Sequence, residues 1–400
     1  MRDNQGWDQG RDQGRWGEVA VTYLDHAAST PVRPEVLEAM LPCLRDGHAN
    51  PSGVHRLARA ARRCLDEARE SIAADLGCAP GEVVLTSGGT ESDNLAVRGV
   101  HARSGGSLVV SAVEHHAVLR PAEELGALVA PVDGAGAIDL AALEALLDPA
   151  VRLVSVMLVN SEVGVVEPVD RVVGMVRALA PAAVVHTDAV QAPLWLDVAA
   201  ATAGCDLVSV TAHKLGGPRG IGALVVREGA REAMAPLFGG GSQEWGLRPG
   251  TENVAGAVGM AVALRAATRD RDAVVARVGA LRDRLADGLV ALGALEPPGR
   301  RAARVVGNAH VRFPGVEAEE LLLLLDREGV AASAGSACAS GAHEPSHVLT
   351  AMGWSPAAAR EAVRFTLGWT TTAGDVERLL AVLPGLVERL GGVRGAVAPA

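Results

Sequence analysis

From Val21 onward, short runs of apolar residues alternate with segments in which apolar residues recur every three or four positions. Continuous apolar runs are typical of parallel strands that are covered on both faces, and the wider spacing is typical of helices. The alternation therefore predicts an α/β fold with a largely parallel sheet. The runs predict strands at residues 82–86, 108–111, 153–159, 184–187, 207–210 and 222–226.

The helical pattern predicts how the chain is divided. Six apolar residues form one stripe of a helix that ends at Gly77: Leu57, Ala61, Leu65, Ala68, Ile72 and Leu76. A long helix over 253–289 joins a second unit, with strands at 305–313 and near 330, a helix through 321–325 and a closing helix after 373. We place the domain boundary near residue 270. Residues 1–20 have no apolar periodicity and are expected to form a disordered tail.

Composition narrows the class of protein. The chain has 400 residues, a length that exceeds the usual size of one domain, and 49% of its residues are hydrophobic. No apolar stretch reaches the length of about 18 residues of a membrane span, and the N-terminus lacks a secretory pattern, so we expect a cytoplasmic protein without a membrane partner. The net charge of -10 argues against broad nucleic-acid binding but allows a small anionic ligand. The five cysteines form no Cys-x-x-Cys pair, which disfavours a disulfide framework or a zinc ribbon.

Lys214 is the first candidate for chemistry. It follows the apolar run 207–210 and precedes Gly216, Gly217 and Gly220, which allow close backbone approach. Ligands of α/β sheets bind at the ends of strands, and a partly desolvated amine can form a Schiff base with an aldehyde. A solvated surface lysine is the alternative.

Other candidates also follow predicted strands. Residues 86–91 (TSGGTE) open a helix whose free N–H groups would face a phosphate, although an ordinary capped turn is equally consistent. Asp188, followed by Gln191, could pair with a protonated ring nitrogen or cap a helix. Either His115 or His116 could stack on a flat cofactor; no other ligand cluster accompanies this pair, so no metal is expected.

Two candidates lie in the second unit. A buried Arg364 would need a carboxylate partner, either from the protein or from a substrate. Cys338 lies among small residues (AGSACASG, 334–341), which favours an accessible loop and a nucleophilic thiol over a core position.

Taken together, these motifs resemble those of the pyridoxal-phosphate-dependent cysteine desulfurases over residues 23 to about 380. The matching segments are Tyr23 to Asp25, Asn50 to Ser52, Thr86 to Ser92, Glu114 with His115, Asp188 to Gln191, Ala212 to Lys214, Arg248 to Asn253, Ser336 to Cys338, Glu344 to Ser346 and Arg364 to Gly368. Order and spacing agree over nearly the full length.

The resemblance implies an aspartate-aminotransferase-like fold of type I. The large domain, residues 33–270, would carry a mostly parallel seven-stranded sheet, and a smaller α+β domain would combine 21–32 with 271–395. The protein would be a homodimer. Lys214 would bind pyridoxal phosphate covalently, and the other cofactor residues implied are Gly89, Thr90, His115, Asp188, Gln191, Thr211, His213, Thr251 from the neighbouring subunit, and Ser161.

The resemblance also implies a reaction. Arg364 and Asn50 would bind L-cysteine, Lys214 and His115 would act in catalysis, and Cys338 would take the sulfur as a persulfide, which leaves L-alanine. A protein acceptor, such as a scaffold for iron-sulfur cluster assembly, would receive the sulfur. The chain departs from the family at Ser161, where an asparagine is usual, at Thr211, where a serine is usual, and at His26, where an aromatic residue is frequent.

Three readings remain at this point. The first is a cysteine desulfurase. The second is a related pyridoxal-phosphate enzyme, a selenocysteine lyase or a carbon–sulfur lyase, which would not need Cys338. The third is a catalytically silent scaffold or sulfur-transfer adaptor. The acceptor itself, whether for iron-sulfur clusters, tRNA thiolation, thiolated metabolites or DNA sulfur modification, is not specified by these motifs.

Overall fold

The computed structural model describes residues 21–299, 301–335 and 345–391, and the predicted N-terminal tail and Cys338 lie outside these ranges. Within them the strands are short and mostly buried. They are β1 (Thr22–Tyr23), β2 (Val83–Thr86), β3 (Ser107–Ser111), β4 (Leu128–Ala130), β5 (Val151–Ser155), β6 (Val184–Asp188), β7 (Leu207–Thr211), β8 (Gly222–Val226), β9 (Asn308–Arg312), β10 (Val330–Ala331) and β11 (Ala362–Thr366).

Helices cover both faces of the strands. They are α1 (Pro34–Arg45), α2 (Arg56–Leu76), α3 (Gly89–Ser104), α4 (His116–Glu124), α5 (Leu140–Leu146), α6 (Val169–Leu179), α7 (Val198–Ala201), α8 (Val254–Ala291), α9 (Ala318–Arg327), α10 (His347–Ala351), α11 (Pro356–Arg360) and α12 (Ala373–Arg389). None of the helices in the described part of the chain has both the length and the apolar run needed to cross a membrane.

In the helix α2, the apolar spacing of the sequence can be compared with the burial of each side chain. Its buried stripe contains Ala61, Leu65 and Ile72, as predicted, and it ends at Gly77, whose left-handed φ of 64° suits glycine. Leu57 was placed on the same stripe, but the structure leaves it exposed in the first turn of the helix.

Seven strands form the central sheet in the order β2-β8-β7-β6-β5-β3-β4. Only β8 runs against its neighbours, so six strands point the same way and their carboxyl ends meet at one edge. This arrangement confirms the predicted α/β fold with a mostly parallel seven-stranded sheet. Apolar side chains pack against both faces of this sheet.

In the central sheet, the two largest differences between predicted and observed strands concern β4 and β5. The strand β4 was not predicted, because it has only three residues and two of them are exposed at the edge of the sheet. The predicted strand 153–159 ends at Ser155, because the chain leaves the sheet there while its side chains stay buried.

The C-terminal residues form a smaller unit with its own apolar core. In it β9 pairs with β11 in antiparallel register, and β1, from the start of the described chain, pairs with β10. The long helix α8 serves both units: Ala267 packs in the core beside the central sheet, and Val278 packs in the core of the smaller unit. The predicted boundary at residue 270 falls between these two residues.

Candidate active site

The carboxyl ends of five parallel strands, β2, β3, β5, β6 and β7, meet beside the smaller unit, where the chain encloses a cavity of about 410 Å³. This is the edge at which α/β sheets bind ligands. The cavity brings together most of the predicted site residues: Gly89, Thr90, His115, Ser161, Asp188, Gln191, Thr211, His213, Lys214 and Arg364.

Lys214 ends a single 3-10 turn, Ala212–Lys214, that follows β7 directly. Its Nζ donates hydrogen bonds to the carbonyl oxygen of Ala28, at 2.9 Å, and to that of Ala27. The Ala27 carbonyl also accepts from Nε2 of Gln191 at 2.9 Å. The N-terminal segment therefore holds the amine at the cavity wall by backbone contacts, which no periodicity in the sequence indicates.

Asp188 is the last residue of β6 and is buried at the floor of the cavity. Its Oδ1 accepts from the backbone N–H of Val190 at 2.8 Å. Burial raises the pKa of Asp188 to about 6, while the Val190 N–H and the charge of Lys214 oppose that rise. A carboxylate held in this way is suited to pair with a cation inside the cavity.

His115 caps the N-terminus of α4, because its Nδ1 accepts from the backbone N–H of Ala117 at 3.1 Å. This contact leaves Nε2 as the nitrogen that carries the proton. Burial, followed by the charge of Lys214, lowers the pKa of His115 to about 4. The imidazole is therefore neutral near pH 7, which suits stacking against a flat ring.

The start of α3 also lines the cavity, through Gly89 and Thr90. Gly88 precedes the helix with a φ of 155°, and a Cβ on Gly89 would lie 2.8 Å from Cγ2 of Val190. The free N–H groups of the first turn can therefore approach a ligand closely. Thr90, Thr211 and His213 line the same cavity, and Nδ1 of His213 lies 3.3 Å from the Ser29 hydroxyl.

Arg364, on β11, reaches the cavity from the smaller unit and has a carboxylate partner in the protein. Its Nη2 donates to Oδ1 of Asp25 at 2.9 Å, and its Nη1 donates to the carbonyl oxygen of Ser161 at 2.9 Å. The buried Nε has no partner among the described residues, so Nε and the second N–H of Nη2 are the donors left for a carboxylate. Ser161 contributes here through its backbone carbonyl.

Three predicted residues lie elsewhere. Asn50 is exposed, and its Oδ1 accepts from the backbone N–H of Ser52 at 2.9 Å. Thr251 is also exposed, and neither residue is among those that line the cavity of this chain. Cys338 lies outside the described residues, although Gly335, three positions earlier, lines the cavity.

The cavity also contains ionisable residues to which the sequence analysis assigned no role. Asp93, Glu114 and Glu162 are buried carboxyl groups, and burial is the main cause that raises the pKa of each. His347, at the start of α10, lies with its Nε2 2.9 Å from the Glu114 carbonyl oxygen. The sequence could have indicated Glu114, because it directly precedes His115. Asp93, Glu162 and His347 come together at the cavity only in the folded chain. In the described ranges, no group of three or more His, Cys, Asp or Glu side chains is placed to hold a metal ion.

Comparison with known proteins identifies the family. The model of the family "Aminotransferase class-V" matches residues 22–379. The chain is 43% identical over 389 residues to an IscS-like cysteine desulfurase of Mycobacterium tuberculosis, covering 92% of this chain and 97% of the relative. It is 42% identical over 379 residues to the cysteine desulfurase IscS of Dictyoglomus turgidum, with 92% and 95% covered.

The chain belongs to the cysteine desulfurase family of class-V aminotransferases. A solved structure of a NifS-like protein superposes with a TM-score of 0.86 at 33% identity, and the match covers 92% of this chain and all of that one. These findings confirm the resemblance stated from the motifs, and with it the fold of type I.

Cysteine desulfurases depend on pyridoxal phosphate, and the residues of this cavity fit that cofactor. The start of α3 offers N–H donors for a phosphate, Lys214 offers an amine for an aldehyde, and the buried Asp188 offers a carboxylate for a protonated ring nitrogen. The glycine at position 89 matters for this fit, because a side chain there would meet Val190.

Proposed function

We propose that this pyridoxal-phosphate-dependent cysteine desulfurase converts L-cysteine to L-alanine and holds the sulfur as a persulfide on Cys338. One observation carries the proposal: Lys214, Arg364 and Gly335 line the same cavity. Because an extended chain advances at most about 3.6 Å per residue, the Cα of Cys338 can lie no farther than about 11 Å from that of Gly335. The thiol is therefore within reach of a substrate bound at Arg364.

Each cofactor residue receives one role in this proposal. The cofactor supplies an electron-withdrawing ring when it is bound. Lys214 would hold its aldehyde carbon, Asp188 would face the ring nitrogen, His115 would stack on the ring and Gln191 would donate to the ring oxygen. Gly89, Thr90, Thr211 and His213 would hold the phosphate, and Ser161 would lie near the ring oxygen.

The substrate residues act on the two ends of cysteine. Arg364 would bind the substrate carboxylate, in place of or beside Asp25, which it now contacts at 2.9 Å. Lys214 would move the α-proton. The Cys338 thiolate would attack the substrate sulfur, so that the new S–S bond forms as the C–S bond breaks. The carbon keeps the electron pair and takes a proton, which gives alanine.

The proposal extends to a homodimer in which Thr251 acts at the partner's site, while Asn50 keeps its predicted role in binding L-cysteine. An apolar stripe on α1, made of Leu37, Leu41 and Leu44, is exposed in the single chain. Exposed apolar surfaces of this kind are typical of protein interfaces. The helix α8, which begins shortly after Thr251, packs directly against α1, where Gly259 lies beside Met40.

We also propose a protein acceptor for the persulfide sulfur, such as an iron-sulfur scaffold, and a cytoplasmic location without a nucleic-acid or membrane partner. The four cysteines in the described part of the chain, Cys43, Cys64, Cys78 and Cys205, are all free, which fits a reducing compartment. Burial is the main cause that raises the pKa of Cys205 to about 12 and that of Cys78 to about 11, so neither is suited to compete as a nucleophile.

The decisive variant is Cys338→Ala. It should retain the visible absorbance of the bound cofactor and lose alanine formation from cysteine by at least about 100-fold, because the nucleophile is gone. Alanine is measured with a reductant present, and Cys205→Ala is the control that should keep full activity. Undiminished alanine formation by Cys338→Ala would point instead to a lyase that releases sulfide directly.

A further inference from the structure

Glu162 occupies a fixed position between the two units. Its backbone N–H donates to Oδ1 of Asn160 at 2.9 Å, and its carbonyl oxygen accepts from Nδ2 of Asn308 at 2.9 Å. Nδ1 of His310 also lies 3.2 Å from that oxygen. Asn308 and His310 are on β9, so the backbone of Glu162, together with the neighbouring carbonyl of Ser161, binds the turn that follows β5 to the smaller unit.

The side chain of Glu162 is buried in the cavity and contacts two segments that are distant from it in sequence. Its Oε2 accepts from the Ser346 hydroxyl at 2.5 Å. A Cβ built on Gly335 would lie 3.1 Å from the same oxygen, and Gly335 has a φ of +91°, which favours glycine. Gly335 and Ser346 lie on either side of residues 336–344, which are outside the described chain and contain Cys338.

Arg364 also contacts Gly335. Its Nη1 donates to the carbonyl oxygen of Gly335 at 3.3 Å, besides its contact with Ser161. Arg364 is the residue proposed to bind the substrate carboxylate, so substrate binding and the placement of Gly335 depend on the same guanidinium. Arg364 thus bonds Gly335 on one flank of residues 336–344, the Glu162 side chain lies close beside Gly335, and Glu162 bonds the other flank through Ser346.

We propose that Glu162 is a positioning residue for the persulfide-forming cysteine, acting through Gly335 and Ser346 on the two flanks of residues 336–344. The inference rests on the proposed function of Cys338 and goes beyond it, since it names what directs the thiol to the substrate sulfur. Because the Ser346 contact lies on a flank of that segment, losing it should slow sulfur transfer and leave binding of cofactor and cysteine intact.

The test removes the contact from the side of Ser346, which does not line the cavity. Ser346→Ala is assayed in the holoenzyme by mass spectrometry of Cys338 after a single turnover, and cysteine affinity is measured from the change in cofactor absorbance. One hydrogen bond to a charged group corresponds to a rate loss of about 10-fold or more. We expect that loss in persulfide formation, with cysteine affinity unchanged within about twofold, and recovery in Ser346→Thr, which restores the hydroxyl.

Ser355→Ala is the matched control. Ser346 and Ser355 each cap a five-residue helix by accepting from a backbone N–H at 3.2 Å, but only Ser346 contacts Glu162. Equal rates of persulfide formation in Ser346→Ala and Ser355→Ala would overturn the inference, because cap loss would then explain the effect.

A double-mutant cycle gives a second measurement. Glu162→Ala and Ser346→Ala should have non-additive effects on persulfide formation, since each removes the same contact. Fully additive effects would contradict the inference. If the proposed function itself is wrong, the enzyme with its natural sequence will carry no persulfide on Cys338 after turnover, which distinguishes this outcome from failure of the inference.

Discussion

At the scale of the residue, burial of the Asp188 carboxyl group lowers the stability of the cofactor-free protein when that group is ionised. The carboxyl group is buried, and its pKa is raised to about 6 mainly by burial. A pKa raised on folding means that the folded chain prefers the protonated form. Its contribution to stability is therefore complete below the ordinary pKa near 4 and is lost as the pH rises through about 6.

Replacing this carboxyl group should stabilise the cofactor-free protein at high pH. Asp188→Asn can still accept from the Val190 N–H but cannot ionise. A pKa raised by about two units corresponds to roughly 3 kcal/mol. We expect the variant to raise the Tm of the cofactor-free protein by a few degrees at pH 8, and to keep about half of that gain at pH 5, which lies midway between the ordinary and the raised pKa.

The same variant should bind pyridoxal phosphate more weakly, because the amide has no charge to offer the ring nitrogen. The exposed Asp272, on α8, supplies the control, since Asp272→Asn should change neither property. An equal change in Tm at pH 5 and pH 8 would show that the ionisation of Asp188 is not the cause.

At the scale of the element, the start of α3 decides whether a phosphate can be held. Gly89 opens the helix, and the space that a Cβ would fill is taken by Val190, which follows β6. The segment after β6 thus places a bulky side chain against the N-terminus of the helix that follows β2, although β8 and β7 separate these two strands in the sheet. The glycine is required by this close packing.

Gly89→Ala should weaken binding of pyridoxal phosphate by about tenfold, because a shift of the first turn costs contacts worth about 1.4 kcal/mol. Binding of pyridoxal, which has no phosphate, should change less. The double variant Gly89→Ala with Val190→Ala makes room for the new methyl group and should recover most of the lost affinity. Absorbance titration of both ligands measures this, and an equal loss for the two ligands would refute the phosphate assignment.

At the scale of the whole molecule, the exposed leucines of α1 are the surface at which the proposed dimer can be tested. Leu37, Leu41 and Leu44 recur at spacings of four and three, so they share one face of the helix. Val36 on the same helix is buried, which means that α1 has an apolar face turned to the core and a second one turned outward.

Leu41→Glu should convert the proposed dimer to a monomer at low micromolar concentration, because a charge would be buried in an apolar contact. Sedimentation velocity measures the change, and cofactor retention should fall with it if Thr251 acts across the interface. Leu323→Glu is the control, since Leu323 is an exposed leucine on α9 in the smaller unit. A dimer that survives Leu41→Glu would place the interface elsewhere.

Much of the fold was predictable because it depends on local pattern. Five strands of the central sheet lie within one residue of their predicted bounds: β2, β3, β6, β7 and β8. Short continuous apolar runs are typical of strands that are covered on both faces, so the sequence marks where they begin and end. The exposed edge strand β4 gave too weak a signal, and the run after Ser155 stayed apolar because the cavity wall is as buried as the sheet.

The candidate site also has residues that local sequence predicts and contacts that only the fold creates. Lys214, Asp188, Gly89 and His115 each follow the end of a strand, so sequence order alone brings them to one edge of the sheet. Asp25 and Arg364 meet across 339 positions, and Glu162 and Ser346 across 184. No local pattern reports such pairs, because the first forms only when the N-terminal segment lies beside β11, and the second only when the smaller unit packs against the sheet.

The sequence by itself determined the strand order along the chain, the family and the residues that can do chemistry, since these depend on residue type and local spacing. Only the tertiary structure decided which carboxylate pairs with Arg364, which backbone carbonyls hold Lys214, and that Glu162 contacts both flanks of the segment containing Cys338. The physical reason is that these contacts join segments far apart in sequence. They form only when the N-terminal segment lies beside β11 and when both cores pack on α8.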